Sequence, residues 1–284
     1  FIAERDSLNA AVLGPDAVEG TPEFDLFIKE VAREMTTKAG QKCTAIRRIF
    51  VPRALESAVT TALKARLDSA TLGDPRQAGV RLGPLVSRAQ RDAVREAIGE
   101  IARDAEIIHG SPFAGDDTLP EALRGGAFLS PVLLPCATPM TATRAHTTEA
   151  FGPVATVMPY ADLDEAVALV AKGEGSLVAS VFTYDAAVAN ALVFGLAPYH
   201  GRLLIVDRDC AKESTGHGSP LPMLVHGGPG RAGGGEELGG IRGVFHYMQR
   251  TAVQGSPARL TQLTKRWVKG APTPTDHPHP FTRD

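Results

Sequence analysis

The sequence predicts an α/β fold, an open and mostly parallel sheet flanked by helices. Short apolar runs of strand length alternate along the chain with amphipathic segments of about ten residues. This alternation is typical of parallel strands joined by helical crossovers. The apolar runs are also nearly continuous, as expected for strands that helices cover on both faces.

The first predicted helix follows Thr21 and Pro22, which suit the cap and the first turn of a helix. It is expected to end near Gly40, because glycine readily adopts the left-handed conformation that stops a helix. Ser87, with Gln90 three residues later, has the pattern of a capping box at the start of another helix. The predicted helices cover residues 22–40, 55–70, 87–104, 163–172 and 186–196.

The predicted strands cover residues 1–4, 46–51, 105–109, 154–160, 177–184 and 202–207. Residues 245–253 alternate like a further strand, which is expected to pair outside its own domain. Residues 270–284 are rich in proline and are typical of a linker or tail. A glycine-rich stretch, residues 216–240, lacks the lysine and hydroxyl ending of a phosphate-binding loop and is interpreted as a long loop.

The composition limits the class of partner. The chain has 284 residues and a net charge of −2, which argues against nucleic acid or a membrane surface as the main partner. Three scattered cysteines and eight histidines show no metal-ligand spacing, and they favour a reducing, cytoplasmic compartment. The chain begins without methionine or a signal-peptide pattern, and we expect it to start inside a fold whose earlier part is absent.

Cys43 is the most informative residue. It lies in a short glycine-containing turn between the first helix and the strand predicted over residues 46–51. A thiol on such a turn is accessible to substrate, and neighbouring cations such as Lys38 or Lys42 favour its reactive thiolate form. The alternative is a small buried residue, which is the usual place of a lone cysteine.

Several segments together resemble the aldehyde dehydrogenase superfamily, in order and spacing, across roughly the first 250 residues. They are residues 40–43 (GQKC), 73–75 (GDP), 82–86 (LGPLV), 128–131 (FLSP), 149–154 (EAFGPV) and 236–239 (EELG). Three longer stretches are similar to the semialdehyde dehydrogenases of aerobic phenylacetate and benzoyl-CoA degradation. These are residues 33–48, 212–222 and 246–257.

The resemblance implies roles for four residues. Cys43 would be the nucleophile, and Glu4 the general base, suited to that task if partial burial raises its pKa. Glu149 would bind the nicotinamide ribose, with Phe151 as the aromatic wall beside it. The alternatives are a solvated acid at the end of a strand for Glu4, and a capped turn with a core phenylalanine for Glu149 and Phe151.

The resemblance also implies an organisation and a reaction. A catalytic domain would cover residues 1–244, a β oligomerisation arm residues 245–258, and a tail residues 259–284. The Rossmann cofactor domain, with the second oxyanion donor, would lie mostly upstream. The implied reaction oxidises a CoA-linked semialdehyde with NADP, or with NAD, in a homo-oligomer. Two rivals stay open, a cysteine-dependent thioester hydrolase and a non-catalytic fragment that only assembles.

Four further residues receive weaker interpretations. His217 and His226 lie in the glycine-rich region and would either line an acyl-CoA entrance or be ordinary loop histidines. Cys136 and Cys210 belong to no motif and are interpreted as structural.

Overall fold

The computed structural model describes residues 3–221, 224, 226–237, 240–248 and 253–272. Its strands are β1 (Ala10–Leu13), β2 (Arg48–Pro52), β3 (Val132–Pro135), β4 (Val154–Tyr160), β5 (Ser176–Phe182), β6 (His200–Val206), β7 (His226–Gly227) and β8 (Glu236–Glu237). Its α-helices are α1 (Pro22–Thr36), α2 (Glu56–Asp68), α3 (Arg88–Ile101), α4 (Arg144–Thr147), α5 (Leu163–Ala171), α6 (Ala186–Leu196), α7 (Gly240–His246) and α8 (Pro257–Thr264).

The six strands β1 to β6 form one sheet in the order β3-β4-β2-β1-β5-β6. Every neighbouring pair in it is parallel. The short strands β7 and β8 form a separate antiparallel pair. The predicted α/β fold with an open parallel sheet is therefore confirmed.

Helices cover both faces of this sheet. Val31 of α1 and Leu63 of α2 belong to the hydrophobic core on one face, while Val94 of α3 and Leu192 of α6 belong to the core on the other. All residues of β4 and β5 are buried, as the continuous apolar runs indicate. The helix starts follow their predicted chemistry, since Thr21 and Ser87 accept hydrogen bonds from the first turns of α1 and α3.

The sheet topology brings distant segments together at its amino-terminal edge. The segments before β1, β2 and β4 enter the sheet from the same side, because these strands are parallel and adjacent in the order β4-β2-β1. Cys43 precedes β2, Glu4 precedes β1, and Glu149 precedes β4. Side chains far apart in the sequence are therefore placed at one edge of the sheet.

Three predicted strands differ from the structure. Ala3 and Glu4 are not in a strand, and residues 1–2 lie outside the described part of the chain. Residues 105–109 contribute only an isolated bridge between His109 and Leu133. Phe245 is helical, as part of α7, because a helix satisfies its own backbone groups, whereas a strand needs a neighbouring edge.

The proposed oligomerisation arm, residues 245–258, is only partly described, since residues 249–252 lie outside the described ranges. Residues 243–284 form a unit of their own, in which Ser256 caps α8. This helix crosses the predicted boundary between arm and tail, so the tail begins with helical residues. Of the predicted linker over residues 270–284, residues 273–284 are not described. None of the helices in the described ranges is long and apolar enough to cross a bilayer.

Candidate active site

Cys43 is exposed on the turn that leads from α1 to β2, as the sequence predicts for a reactive thiol. The chain reaches this turn through the left-handed residues Lys38, Ala39 and Gly40. A side chain at Gly40 would overlap the carbonyl group of Gly152, so the two segments touch through their backbones. Glycine is required here for both its conformation and its size.

The four residues assigned from the resemblance line one cavity. Its volume is about 310 Å³, and Cys43, Glu4, Glu149 and Phe151 all contribute to its wall. The other lining residues are Arg5, Asp6, Ser7, Leu177 and Ala232. A thiol, two carboxylates and an aromatic ring from three separate segments therefore face the same space.

Glu4 is exposed, so the partial burial that would suit it to the role of a general base is not observed. Its segment is nonetheless held in place by the glycine-rich loop. The backbone N–H groups of Arg5 and Asp6 donate to the carbonyl oxygen of Arg231, at 3.3 and 3.5 Å. The guanidinium of Arg231 binds the carboxylate of Asp6 in return. The loop thereby positions the carboxylate of Glu4 against the cavity.

Glu149 is largely buried, with 11% of its side chain exposed. Its carboxylate accepts hydrogen bonds from the Ser7 backbone N–H and from Arg47 Nε, both at 3.4 Å. Burial raises the pKa of Glu149, and the nearby Arg47 charge opposes that increase. Phe151, two residues later, lies under the Arg47 guanidinium. The distance from Arg47 Cζ to the centroid of the Phe151 ring is 5.3 Å.

Arg47 is the residue that the sequence interpretation missed. Its guanidinium, 4% exposed, donates to the carbonyl oxygens of Gly152 at 2.7 Å and Gly40 at 2.8 Å. It also interacts electrostatically with Cys43. One cation therefore joins the turn of Cys43 to the segment of Glu149. Its position beside Arg48, within an otherwise apolar run that leads into β2, is the signal that could have revealed it.

Asn9 supports the same turn from the other side. Its buried side-chain amide donates to the carbonyl oxygens of Cys43 at 2.8 Å and Ala45 at 3.0 Å. Its oxygen accepts from the Val178 backbone N–H of β5 at 3.1 Å. The Cys43 carbonyl is thus fixed relative to the sheet by a satisfied buried amide.

The two lysines named as possible partners of the thiolate have other surroundings. Lys42 forms an ion pair of 2.7 Å with Glu34, whose side chain is completely buried. Lys38 lines a neighbouring cavity of about 740 Å³, which shares Phe151 with the cavity of Cys43. Arg47 is a cation that interacts electrostatically with Cys43.

The remaining predicted residues lie away from this cavity wall. His217 is fully buried, and its Nδ1 lies 2.7 Å from Ser180 Oγ. His226 lies in β7 and is half-buried. Cys136 is buried, which raises the pKa of its thiol, and Cys210 is half-buried. No histidine or further cysteine is found among the described residues that line the cavity.

The edge of the parallel sheet presents a cysteine, carboxylates and an aromatic ring to one cavity, an arrangement suited to covalent chemistry by a thiol. Residues 6–253 match the model of the aldehyde dehydrogenase family. The chain belongs to this family.

Individual relatives support the match. The chain is 47% identical, over 231 residues, to 3,4-dehydroadipyl-CoA semialdehyde dehydrogenase of Aromatoleum evansii. The aligned region covers 80% of this chain and 44% of that relative. It is 49% identical, over 203 residues, to protein MaoC of Klebsiella aerogenes, covering 71% of this chain and 58% of that protein. The chain thus spans about half the length of the curated relatives it matches.

A solved structure shows the same fold. The crystal structure of Staphylococcus aureus betaine aldehyde dehydrogenase in complex with NAD⁺ superposes with a TM-score of 0.71 and 25% sequence identity. The match covers 87% of this chain and 44% of that one.

Proposed function

We propose that this chain carries the catalytic centre of a dehydrogenase that oxidises a CoA-linked semialdehyde to its carboxylic acid. The observation that carries the proposal is the exposure of Cys43 in a cavity shared with Glu4, Glu149 and Phe151. Its relative from Aromatoleum evansii, named as a CoA-semialdehyde dehydrogenase, supports the substrate class. Aerobic degradation of phenylacetate or benzoate is the setting in which such a substrate arises.

Cys43 supplies the nucleophile. Its thiolate sulfur attacks the aldehyde carbon, a C–S bond forms, and the carbonyl oxygen takes the negative charge of a tetrahedral thiohemiacetal. The Arg47 guanidinium, which is coupled to Cys43, favours the thiolate over the thiol before this attack. Asn9 fixes the turn, so the sulfur enters the cavity from a defined direction.

The residues present fit a nicotinamide cofactor. When bound, NADP (or NAD) accepts the hydride, with two electrons, from the former aldehyde carbon. A carboxylate offers about four acceptor positions, and Glu149 uses two of them on Ser7 and Arg47. Glu149 can therefore also accept from the ribose hydroxyls, while Phe151 supplies an apolar wall between the two cavities.

Glu4 completes the reaction as general base. Loss of the hydride leaves an acyl thioester on Cys43, and a water molecule must break its C–S bond. The carboxylate of Glu4 takes a proton from this water as it attacks, the acid departs, and the thiolate of Cys43 is restored. The contacts of Arg231 with Asp6 hold Glu4 at the cavity during this step.

The first test separates acylation from turnover. The chain is incubated with an activated ester, and the acylated residue is identified by mass spectrometry. We expect the acyl group on Cys43, and its loss in C43S, whereas C210S serves as the matched control and retains the adduct. In E4Q the adduct still forms but is hydrolysed about 100-fold more slowly, a typical loss for a general base. An adduct on another residue, or unchanged hydrolysis in E4Q, would contradict the assignment.

The second test addresses the two rivals. Turnover of a CoA-linked semialdehyde is followed through the absorbance of reduced nicotinamide, with NADP⁺, with NAD⁺ and with neither. Ester cleavage without aldehyde oxidation would favour a cysteine-dependent hydrolase, although no histidine lies in the described wall of the cavity. Absence of nicotinamide binding at millimolar concentration would leave only the assembly role.

The proposal extends to assembly and location. A homo-oligomer that pairs through residues 245–258, in the cytoplasm, is the arrangement the resemblance implies. Removal of residues 245–284 is expected to lower the molecular mass measured by light scattering to that of one chain. A truncated chain that keeps the mass of the intact assembly would refute this role of the arm.

A further inference from the structure

A buried ion pair lies directly beside the turn of Cys43. Glu34 of α1 has no exposed side-chain surface, and both of its carboxylate oxygens accept hydrogen bonds from Lys42 Nζ at 2.7 Å. Lys42 is the residue before Cys43, and only 17% of its side chain is exposed. Neither member of the pair lines the cavity of Cys43. Any influence of the pair on the proposed nucleophile is therefore transmitted through the turn rather than through the cavity.

Gly218, from the glycine-rich region, closes over this pair. A methyl group at Gly218 would overlap Lys42 Nζ and would lie 3.0 Å from the Glu34 carboxylate. The carbonyl oxygen of Gly218 accepts a hydrogen bond from Thr44 Oγ1 at 3.4 Å. One glycine is therefore in contact with both chain neighbours of Cys43, Lys42 on one side and Thr44 on the other.

His217 holds this glycine in place from three elements. Its backbone N–H donates to Glu30 Oε1 of α1 at 2.6 Å, and its carbonyl oxygen accepts from Arg202 Nη2 of β6 at 2.7 Å. Its ring Nδ1 lies 2.7 Å from Ser180 Oγ of β5, and the whole residue is buried. The segment that covers the ion pair is thus fixed to α1 and to two strands of the sheet.

Stability alone does not account for this arrangement. Burial raises the pKa of Glu34, and the Lys42 charge opposes that increase. Removal of two charges from water often costs more than their attraction returns, so apolar residues of similar volume can be as stable or more stable. An ion pair differs from such residues in that it fixes a charge at a defined place. Further charged side chains that act on Glu34 or feel its charge are Glu30, Arg33, Arg47 and Arg202.

We propose that Glu34 is a positioning residue for Cys43 and acts through Lys42. The carboxylate holds the Lys42 ammonium at a fixed place next to Cys43 in the chain, and it compensates the positive charge there. Loss of the carboxylate alone leaves an uncompensated cation near the thiol, which favours the thiolate. This inference rests on the proposed function, because it concerns how the same cysteine is held ready for attack.

Alkylation of the 284-residue chain by iodoacetamide tests this role. The thiolate sulfur displaces iodide as the C–S bond forms, so the rate follows the thiolate population. Mass spectrometry of the Cys43 peptide gives this rate between about pH 5 and about pH 10, and hence its pH midpoint. The variants are E34Q and E34Q/K42M, and E96Q on the exposed Glu96 of α3 is the matched control.

The two variants separate a charge effect from a general loss of structure. The pH midpoint of E34Q should fall by about one unit, as for a charge lost about 10 Å away at an effective dielectric constant of about 20. In E34Q/K42M both charges are absent, so the midpoint should return to that of the wild type, and E96Q should not change it. A loosened turn would instead move both variants toward the midpoint of a free cysteine, about 8.5. An unchanged midpoint in E34Q, or no recovery in the double variant, would overturn the proposal.

G218A gives a second measure without a change of charge. The backbone of Gly218 is not left-handed, and its new methyl group would meet only the flexible end of Lys42 and the Glu34 carboxylate. We expect acetic anhydride to acetylate Lys42 about tenfold faster in G218A and in E34Q than in the wild type, because a buried charge-assisted contact is lost. G99A is the control, since the nearest atom to its methyl group lies 3.9 Å away. Unchanged Lys42 acetylation in both variants would contradict the role of the pair.

The proposed function can fail separately. If Cys43 of the unaltered chain is not acylated by an activated ester, the catalytic assignment is wrong, whatever Glu34 does to alkylation. If Cys43 is acylated but the pH midpoint of its alkylation is the same in E34Q and the wild type, only the inference about Glu34 is wrong.

Discussion

At the residue scale, Arg47 shows how a single buried cation organises the site. A guanidinium presents five donors in a fixed plane, and here they reach two segments that the sequence separates by more than one hundred residues. Burial lowers the pKa of Arg47, while Glu149 opposes this. The same contact keeps the Glu149 carboxylate paired inside the protein. The turn of Cys43, the proposed nucleophile, and the segment of Glu149, the proposed ribose ligand, therefore depend on one side chain for their relative position.

Replacement of Arg47 by lysine keeps the charge and removes the planar fork. Lysine cannot contact Gly40, Gly152 and Glu149 together, so buried carbonyl oxygens lose their donors. We expect R47K to lose about 2 to 3 kcal/mol of unfolding free energy, the cost of buried groups left unsatisfied. Urea denaturation measures it, with R53K on the exposed Arg53 as control and an expected change below about 0.5 kcal/mol. Equal stability of the two variants would show that Arg47 is not the link between the segments.

Asn9 gives a second prediction at this scale. In N9D a carboxylate replaces the amide that donates to the carbonyl oxygens of Cys43 and Ala45. A carboxylate oxygen then faces the buried carbonyl oxygens, and we expect the unfolding free energy to fall by about 2 to 3 kcal/mol. The Cys43 turn should also loosen, so that the rate of its alkylation by iodoacetamide changes. N9S, which keeps a small donor, is the conservative control and should recover part of both effects. If N9D alkylates and unfolds like the wild type, Asn9 does not position the turn.

At the scale of the element, the sequence predicted the helices and strands that hydrophobic periodicity or capping residues mark. The helices α1, α2, α3, α5 and α6 and the strands β2, β4, β5 and β6 were all expected within a few residues. The strands β1 and β3 were missed because each has only four residues, and β1 begins with two alanines, which have no strand preference. The strand predicted over residues 245–253 was wrong at Phe245, since an alternating pattern of that length does not decide between strand and helix.

The site was only partly predictable for a related reason. The resemblance identified Cys43, Glu4, Glu149 and Phe151, and the structure places them around one cavity. The sequence pattern marks Arg47 only by its place at the start of an apolar strand run, and it does not show which segments Arg47 and Asn9 contact. The sequence also left open whether Glu4 is buried or solvated, since burial depends on which loop covers the residue, and the structure shows it exposed. The sheet topology determines which distant segments touch, and the local sequence pattern does not predict these contacts.

The turn between α1 and Cys43 yields an element-scale prediction. Gly40 and Gly20 both have a left-handed backbone, with φ of 68° and 88°. A methyl group at Gly40 would overlap the Gly152 carbonyl, whereas no atom lies within 4 Å of the corresponding position at Gly20. G20A should therefore lower the unfolding free energy only by the backbone strain, about 1 kcal/mol. G40A should lower it by about 2 to 3 kcal/mol more, because of the overlap with the Gly152 carbonyl. Thermal unfolding of both variants measures the difference, and equal costs would mean that the turn does not press against the Glu149 segment.

At the scale of the whole molecule, the location of the site follows from the parallel sheet. Ligand sites of open α/β sheets usually lie at the carboxyl ends of the strands. In this chain Cys43, Glu4 and Glu149 all lie before their strands, at the opposite edge. The adjacency of β4, β2 and β1 is what brings these three residues together. The sheet and its two helical layers thus form the rigid support on which the loops of the site depend.

Two buried histidines make the stability of this support dependent on pH. His146 Nε2 donates to the Pro139 carbonyl oxygen at 2.9 Å, so its Nδ1 accepts from Arg48 at 3.2 Å. A second proton would face that guanidinium. His200 Nδ1 donates to the Leu196 carbonyl oxygen at 2.9 Å, and its buried Nε2 has no hydrogen-bond partner among the described residues. Burial lowers the pKa of His146 and of His200 to about 4, from 6.5.

The direction of the effect follows from proton binding. Between about pH 6.5 and about pH 4 the unfolded chain binds more protons at these histidines than the folded chain does, so the unfolding free energy falls as the pH falls. By pH 5 each histidine should remove about 2 kcal/mol, at roughly 1.4 kcal/mol per pH unit. The raised pKa values of Glu34 and Glu149 act in the opposite direction, because burial of these carboxylates disfavours the folded state as they ionise.

The quantity to measure is therefore the difference between the wild type and the variant H146N/H200N, in urea denaturation at pH 7.5 and pH 5. We expect the wild type to lose about 4 kcal/mol more than the variant over this interval. Parallel curves for the two proteins would show that both histidines titrate alike in the folded and unfolded chains.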